Sequence, residues 1–398
     1  MSLSLPSSTA DASGLSRSTQ FLLASGAGLS VASIYYSQPM LGAVGGSFHA
    51  SIADTGLVPT LTQLGYALGI LFLTPLGDRY DRRHIILLKG LLLALTLLFC
   101  SLSGTFSMLL LTSLAMGLAA TVAQDIIPAA ATLASEQQRG RTVGTVMTGL
   151  LAGILLSRVI SGAVADWFGW RSVYSAAALG VLIITLAIWQ ALPRFTPGSR
   201  LSYLALLRSL GQLWLRHAPL RRAALAQGLL SVAFSAFWST LALMLAERYH
   251  LGSASAGAFG LAGAAGALAA PIAGAIADRR GPNQVTRIGA ALVTLSFALM
   301  FVMPLLSPPA QLAVIVISAI GFDLGLQATL IAHQTLIYSL DPAARSRLNA
   351  VMFTVVFIGM ASGAALGSHA LALAGWNGVV ALATLAAAGG LAIRLNSR

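Results

Sequence analysis

Three ionisable residues fall deep inside apolar runs of this chain: Asp125, Arg158 and Asp323. Charge is expensive in such surroundings, so each is a functional candidate by default. Asp323 stands about 20 Å along its run at ~1.5 Å per helical residue, near the middle of a bilayer-length segment. A carboxyl there can carry a proton across, or it can make a structural hydrogen bond to a neighbouring helix. Asp125 precedes Pro128, whose ring frees a backbone carbonyl one turn earlier, so it serves either that irregular turn or proton movement. Arg158 stands about 25 Å along its run, near the height of Tyr36 and Gln38. Three roles stay open for it: a clamp for an anionic substrate group, a counter-ion for Asp323, or a side chain held by backbone carbonyls. Tyr35, Tyr36, Gln38, Trp238 and Gln327 supply the aromatic walls and hydrogen bonds typical of a small-molecule pocket. His333 reads as a packed, hydrogen-bonded residue rather than a relay.

The elements that must position these groups follow from composition. Hydrophobic residues make up 57% of the 398 and charged residues 9%, against about a quarter charged in soluble domains. The apolar material comes in stretches of about twenty residues, enough to cross a ~30 Å hydrocarbon core. We expect an all-α membrane protein with twelve transmembrane helices. Their limits are 20–45, 52–76, 84–103, 106–134, 141–164 and 171–192, then 223–247, 254–277, 285–304, 310–339, 347–370 and 376–394. Residues 1–19 read as a disordered cytoplasmic tail, 20–192 as a six-helix bundle, 193–222 as a cytoplasmic linker and 223–398 as a second bundle. The linker places six arginines around Leu204, Leu207, Trp214 and Leu215, which fits an amphipathic helix lying in the headgroups or a solvated basic segment. Lys89 lies close enough to its helix end to snorkel.

With both termini cytoplasmic, twenty of the 23 Lys and Arg fall on that side. The net charge of +12 is therefore a membrane-orientation signal rather than a nucleic-acid surface. Trp167, Trp170 and Trp376 suit either the membrane interface or the pocket. The single cysteine excludes an internal disulfide. No phosphate-cradling loop, metal-ligand cluster or hydrolytic triad is recognisable, so no cofactor, metal or enzymatic chemistry is expected.

Pro75-Leu-Gly-Asp-Arg-Tyr-Asp-Arg-Arg83 is nearly repeated at Gly274-Ala-Ile-Ala-Asp-Arg-Arg-Gly281, with Asp78 and Asp278 separated by 200 residues. A shift of 206 also superposes Arg139-Gly-Arg141 on Arg345-Ser-Arg347 and Gly169-Trp170 on Gly375-Trp376. The chain is thus a doubled unit. Both charged stretches resemble the loop signature of the major facilitator superfamily of transporters. The second copy keeps Gly274, Asp278, Arg279 and Gly281, while the first has Thr74 and Asp81 where glycines belong. Ile34-Tyr-Tyr-Ser-Gln-Pro39, Gln63-Leu-Gly-Tyr66, Arg158 with Gly169-Trp-Arg171, and Asp323 to Gln327 followed by Arg345-Ser-Arg-Leu-Asn349 resemble a bacterial efflux-type branch described as arabinose-efflux-permease-like. The fifth-helix antiporter motif is only partly present, with Ser157-Arg158 in place of Gly-Pro, and Ser113 stands where drug–proton exchangers carry an arginine.

The resemblance implies two pseudo-symmetric bundles around a midplane site, and a monomer that moves a small molecule by alternating access, with protons as coupling ion. Proton-coupled efflux is the leading expectation. An importer or facilitator of a metabolite or sugar, and a transport-dead membrane sensor, are the alternatives. It also implies that Asp78 meets the eleventh helix near Arg345 and Arg347, and that Asp278 meets the fifth near Arg139 and Arg141. With Arg79, Arg82 and Arg279 these would latch the cytoplasmic side, or they serve orientation and folding alone. Small residues four apart, at Gly65 and Gly69, Gly149 and Gly153, Gly266, Ala270 and Gly274, and Gly359, Gly363 and Gly367, mark a sliding contact between halves or tight packing within each.

Overall fold

The computed structural model describes residues 15–196, 201–268, 276, 279–341 and 344–396. No strand occurs among them, as expected where no water is present to satisfy an exposed sheet edge. Nine helices of the described residues are long and apolar enough to cross a membrane. The last, Arg345–Leu395, is two spans merged across Gly375 at φ 60°. Two further spans are broken: the first into Arg17–Ala32 and Ser37–Phe48, and the eighth into Ser253–Phe259 and the 3-10 stretch Gly260–Leu268. Together these are the twelve expected spans, most with limits within about five residues of the sequence reading.

Short connections explain some of the punctuation. Gly169, Gly281 and Gly375 all adopt positive φ (82°, 80° and 60°), a region that residues with a Cβ enter only under strain. The first signature loop lacks the glycine equivalent to Gly281 and solves its turn differently. Asp81 sits there at φ −57°, accepts a hydrogen bond from the Arg83 backbone N–H and caps the third span. Partial burial pushes the Asp81 carboxyl up, but N–H groups of Phe195 and Arg83, with His84, outweigh this and hold it below its ordinary range. The Phe195 contact also ties the end of the sixth span to this loop.

The glycine stripes pack inside each half, not between halves. A methyl on Gly28 of the first span would fall 2.5 Å from the carbonyl oxygen of Gly149 on the fifth. Gly69 meets Leu118 of the fourth span, Gly359 and Gly363 meet Gly228 and Val232 of the seventh, and Gly266 meets Gln327 of the tenth. Ala270 and Gly274 lie outside the described residues. The sliding-contact reading is therefore corrected for the described glycines: apolar lipid gives helices no hydrophobic reason to associate, and close backbone approach supplies the missing attraction.

Between halves, Gly162 of the fifth span and Gly257 of the eighth also bring backbones together, and polar and ring contacts join the second span to the seventh and eleventh. Ser235 donates to Gln63 Oε1 at 3.0 Å, and Tyr66 packs on Phe357 with ring centroids 4.4 Å apart. The linker forms the helix Tyr203–Arg216, capped by Ser202. Leu206, Leu210 and Leu213 are buried against the protein, while Leu204 and Leu215 face outward. The segment is thus an amphipathic helix with one apolar face packed on the protein and a second turned outward. Tyr203 donates to the Phe72 carbonyl at 2.8 Å, fastening this helix to the second span.

Gly28→Leu should cost about 1–3 kcal/mol or more through overpacking, whereas Gly46→Leu, with nothing within 4 Å, should be neutral. Thermal unfolding in detergent measures both; equal melting temperatures would refute the backbone-contact account.

Candidate functional site

The break in the first span aims the site. Backbone bonds from Ile34 to Val31, Tyr35 to Ala32 and Gln38 to Tyr35 tighten the chain to 3-10 turns, and Pro39 has no N–H to donate to residue 35. Tyr35 and Gln38 thereby turn toward the fifth span. Arg158 Nε donates to Gln38 Oε1 at 2.8 Å. Its guanidinium lies over the rings of Trp238 (4.4 Å), Tyr35 (4.9 Å) and Phe234 (5.6 Å). Trp238 and Phe234 belong to the second half, so this cation is held by aromatic faces from both bundles.

Asp323 of the tenth span approaches from the other side. A methyl on Gly263 would lie 3.1 Å from Asp323 Oδ2 and 3.9 Å from Arg158 Nη1. The two charged atoms are thus no further apart than the sum of those distances, about 7 Å, yet they make no ion pair. Both residues are 3% exposed. Four buried polar atoms here have no protein partner: Arg158 Nη2, Gln38 Nε2, Trp238 Nε1 and Asp323 Oδ2. Each such atom ordinarily costs about 1–3 kcal/mol. Behind Asp323, Phe322 stacks on Phe297 at 4.6 Å and meets the edges of Phe237 and Trp238, giving the site a stiff aromatic wall. Gln38, Pro39, Arg158, Trp238, Leu241 and Ala256 line a small cavity beside it.

Of the sequence candidates, Tyr35, Gln38, Arg158, Trp238 and Asp323 converge. Tyr36 is buried in the apolar core, and Gln327 packs one turn from Asp323 against Gly266. Asp125 lies elsewhere: Lys89 Nζ donates to its Oδ2 at 2.6 Å, with both side chains at 4% exposure or less. Lys89 does not snorkel, because a carboxylate inside the half satisfies its ammonium at a closer reach than the headgroups. Asp125 also faces the backbone of Gly77, beside Arg82. That position favours its structural role over proton movement. His333 Nδ1 donates to Gln227 Oε1 at 2.9 Å, the packed arrangement expected. Trp167 is exposed, but Trp170 and Trp376 are buried anchors: Trp170 packs on Phe48 and Tyr174, and Trp376 on Phe237. Phe234, Phe322 and Ser235 were missed, since apolar or small residues on a helix carry no mark of the direction they face.

The signature loops sit at the end of the bundles that carries most arginines. Asp78 pairs with Arg82 at 3.1 Å within its own loop. It shares a cleft with Ser346, Arg347 and Ala350 at the start of the eleventh span and with Leu206 and Leu210 of the linker helix. The expected neighbourhood is present, but a direct ion pair from Asp78 to Arg345 or Arg347 is not. Arg139 Nε donates to the Ala131 carbonyl and its repeat partner Arg345 to that of Tyr338, so these equivalent arginines close the ends of the fourth and tenth spans. Arg79 donates to the Leu201 carbonyl at 3.4 Å, and Arg141 and Arg279 are exposed. Asp278 lies outside the described residues.

At the opposite end the halves are joined by a residue the sequence reading missed. Asp166, at the end of the fifth span, accepts hydrogen bonds from the backbone N–H groups of Ser253 (2.9 Å) and Ala254 (2.8 Å). These open the eighth span, which has no side-chain cap of its own. A carboxylate suits free N–H groups at a helix start. The available signal was its position: one of only eleven acidic residues, standing at the close of an apolar run.

Two bundles closed on a buried centre, where opposite charges from the two halves face each other, define a membrane transporter. The chain belongs to the Major Facilitator Superfamily, whose family model matches residues 23–339. It is 39% identical over 367 residues, 92% of each chain, to the uncharacterized transporter YgaY of Escherichia coli O157:H7. It is 32% identical to the probable transporter SCO4007 of Streptomyces coelicolor, covering 89% of this chain and 82% of that one. Among solved structures it resembles the nucleoside transporter NupG (TM-score 0.75, 13% identity, 95% and 98% of the two chains). It also resembles a bacterial homologue of the human lysosomal transporter Spinster in an inward-facing, unoccupied conformation (TM-score 0.69, 16% identity, 95% and 94%).

Lys89→Met alone should destabilise by about 3–5 kcal/mol by stranding Asp125, and adding Asp125→Leu should recover most of the loss. A double-mutant cycle by thermal unfolding decides it; a double variant no more stable than the single would show the pair is not isolated. Asp166→Ala should loosen the contact between the fifth and eighth spans. Spin labels at Trp167→Cys and Ala258→Cys should report a shift to longer distances, and an unchanged distribution would remove Asp166 as a tie between halves.

Proposed function

We propose that the chain exports a small organic molecule across the bacterial inner membrane by alternating access, in exchange for protons. Asp323 carries the proton, and Tyr35, Gln38, Arg158 and Trp238 hold the substrate. The observation that carries this reading is the Arg158–Asp323 arrangement. A cation of the first half and a carboxylate of the second face each other at the buried centre without pairing. Rocking one bundle against the other changes their separation and their access to water, which couples occupancy to conformation. The export direction rests on the efflux-type resemblance of the first, fifth and tenth spans. The orientation, with both termini in the cytoplasm, is supported by the twenty Lys and Arg that it gathers on one side. The six-helix units 20–192 and 223–398, joined by 193–222, are the two moving bodies, and one chain is the working unit. On this reading Asp78, Arg82 and Arg347 govern closure of the cytoplasmic end through the cleft they share, and Asp166 governs the periplasmic end.

Everted membrane vesicles holding a pH gradient, screened with a library of sugars, acids, amines and amino acids, test this. At least one compound should discharge the gradient in the wild type and none should do so with Asp323→Asn. A compound that moves through both proteins without touching the gradient would make the protein a facilitator.

A further inference from the structure

The unpartnered atoms at the centre differ in sign. Arg158 Nη2, Gln38 Nε2 and Trp238 Nε1 are donors, and all three residues line the same small cavity. Asp323 Oδ2 is an acceptor, and it stands across Gly263 from the guanidinium. Both aromatic faces nearest the cation are already occupied by it, so the rings are not a free cage for a second cation. What remains open on Arg158 is an edge of N–H groups, which suits a planar oxyanion.

Net charge selects among the ligands that would fit those donors. Arg158 and Asp323 are buried charges of opposite sign, separated by more than the ~4 Å of an ion pair and less than about 7 Å. A net anion on Arg158 would leave the carboxylate stranded, and a net cation on Asp323 would leave the guanidinium stranded. A neutral polyol would meet the hydrogen-bonding needs but neither charge. A compact molecule bearing one carboxylate and one ammonium a few atoms apart satisfies every orphaned atom and keeps the site neutral. The remaining wall, Pro39, Leu241, Ala242 and Ala256, is apolar and would face its side chain once the water-sized cavity widens.

We propose, resting on the transporter reading above, that the substrate is a small zwitterion of the amino-acid type. Its carboxylate sits on Arg158, Gln38 and Trp238, and its ammonium on Asp323. The ammonium and the transported proton then occupy the same carboxylate in turn, which makes their exchange a consequence of a single shared position.

Thermal shift of the full-length protein in nanodiscs, with each standard L-amino acid, L-arabinose, and the deaminated acid and decarboxylated amine of any amino acid that binds, tests the assignment. At least one amino acid should raise the melting temperature, and neither of its one-charge counterparts should. Trp238→Phe, which keeps a ring and removes one donor, should weaken that binding about tenfold. Asp323→Asn should erase the preference for the amino acid over its deaminated acid. The proposal is overturned if no amino acid binds, if the deaminated acid binds the wild type as well as its parent, or if L-arabinose alone binds. Vesicle discharge by a compound of another class in that event leaves proton-coupled transport intact, so the two readings fail separately.

Discussion

A charge inside hydrocarbon needs a partner, and the whole molecule is arranged around where partners are granted and where they are withheld. Lys89 and Asp125 answer each other within one half at 2.6 Å, on helices that also pack tightly. Arg158 and Asp323 are as deeply buried, yet they come from different halves and stop short of contact. The first arrangement is indifferent to any motion of one bundle against the other. The second is altered by every such motion, which is what a coupling site requires.

Packing divides in the same way. Within each half, backbones meet through glycines so closely that a single methyl would strike a carbonyl oxygen. Such contacts cannot slide without loss of their full dispersion energy, so each bundle moves as a body. Across the halves Gly162 and Gly257 make one such close approach, joined by individual hydrogen bonds and ring contacts: Gln63 with Ser235, Tyr66 with Phe357, Asp166 with the start of the eighth span. Each of those hydrogen bonds is worth about 1 kcal/mol net and can be exchanged for another.

Much of this was legible in the sequence for reasons of length and sign. A twenty-residue apolar run has few alternatives to a membrane helix, and charges two hundred residues apart in matching patterns announce a repeat. Asp323 and Arg158 stood out because ionisable residues are rare in such runs. What the sequence did not carry was azimuth. Gly149 and Gly153 mark a close approach but not the neighbour approached, so the stripes of both halves suggested a shared interface they do not form. Lys89 looked like a helix-end cation because its distance from the end is readable and its partner on another helix is not. Phe234 and Phe322 differ in nothing but direction from the phenylalanines that face lipid.

The two ends of the bundles are not equivalent, and the difference lies in whose carboxylate is free to cross. At the arginine-rich end Asp78 is engaged by Arg82 four residues away, so its charge is already compensated inside its own half and the eleventh span receives only its neighbourhood. At the other end Asp166 has no such internal partner among the described residues and spends both oxygens on N–H groups of the opposite half. A conformational change that drew Asp78 from Arg82 toward the start of the eleventh span would replace one partner with another and lose little. Opening the Asp166 end strips a carboxylate of two hydrogen bonds and exposes a helix start to water, which then solvates both. Each step exchanges satisfied groups for satisfied groups, and with such a near-balance a ligand contributing only a few kcal/mol at the proposed Arg158–Asp323 site would decide between the states.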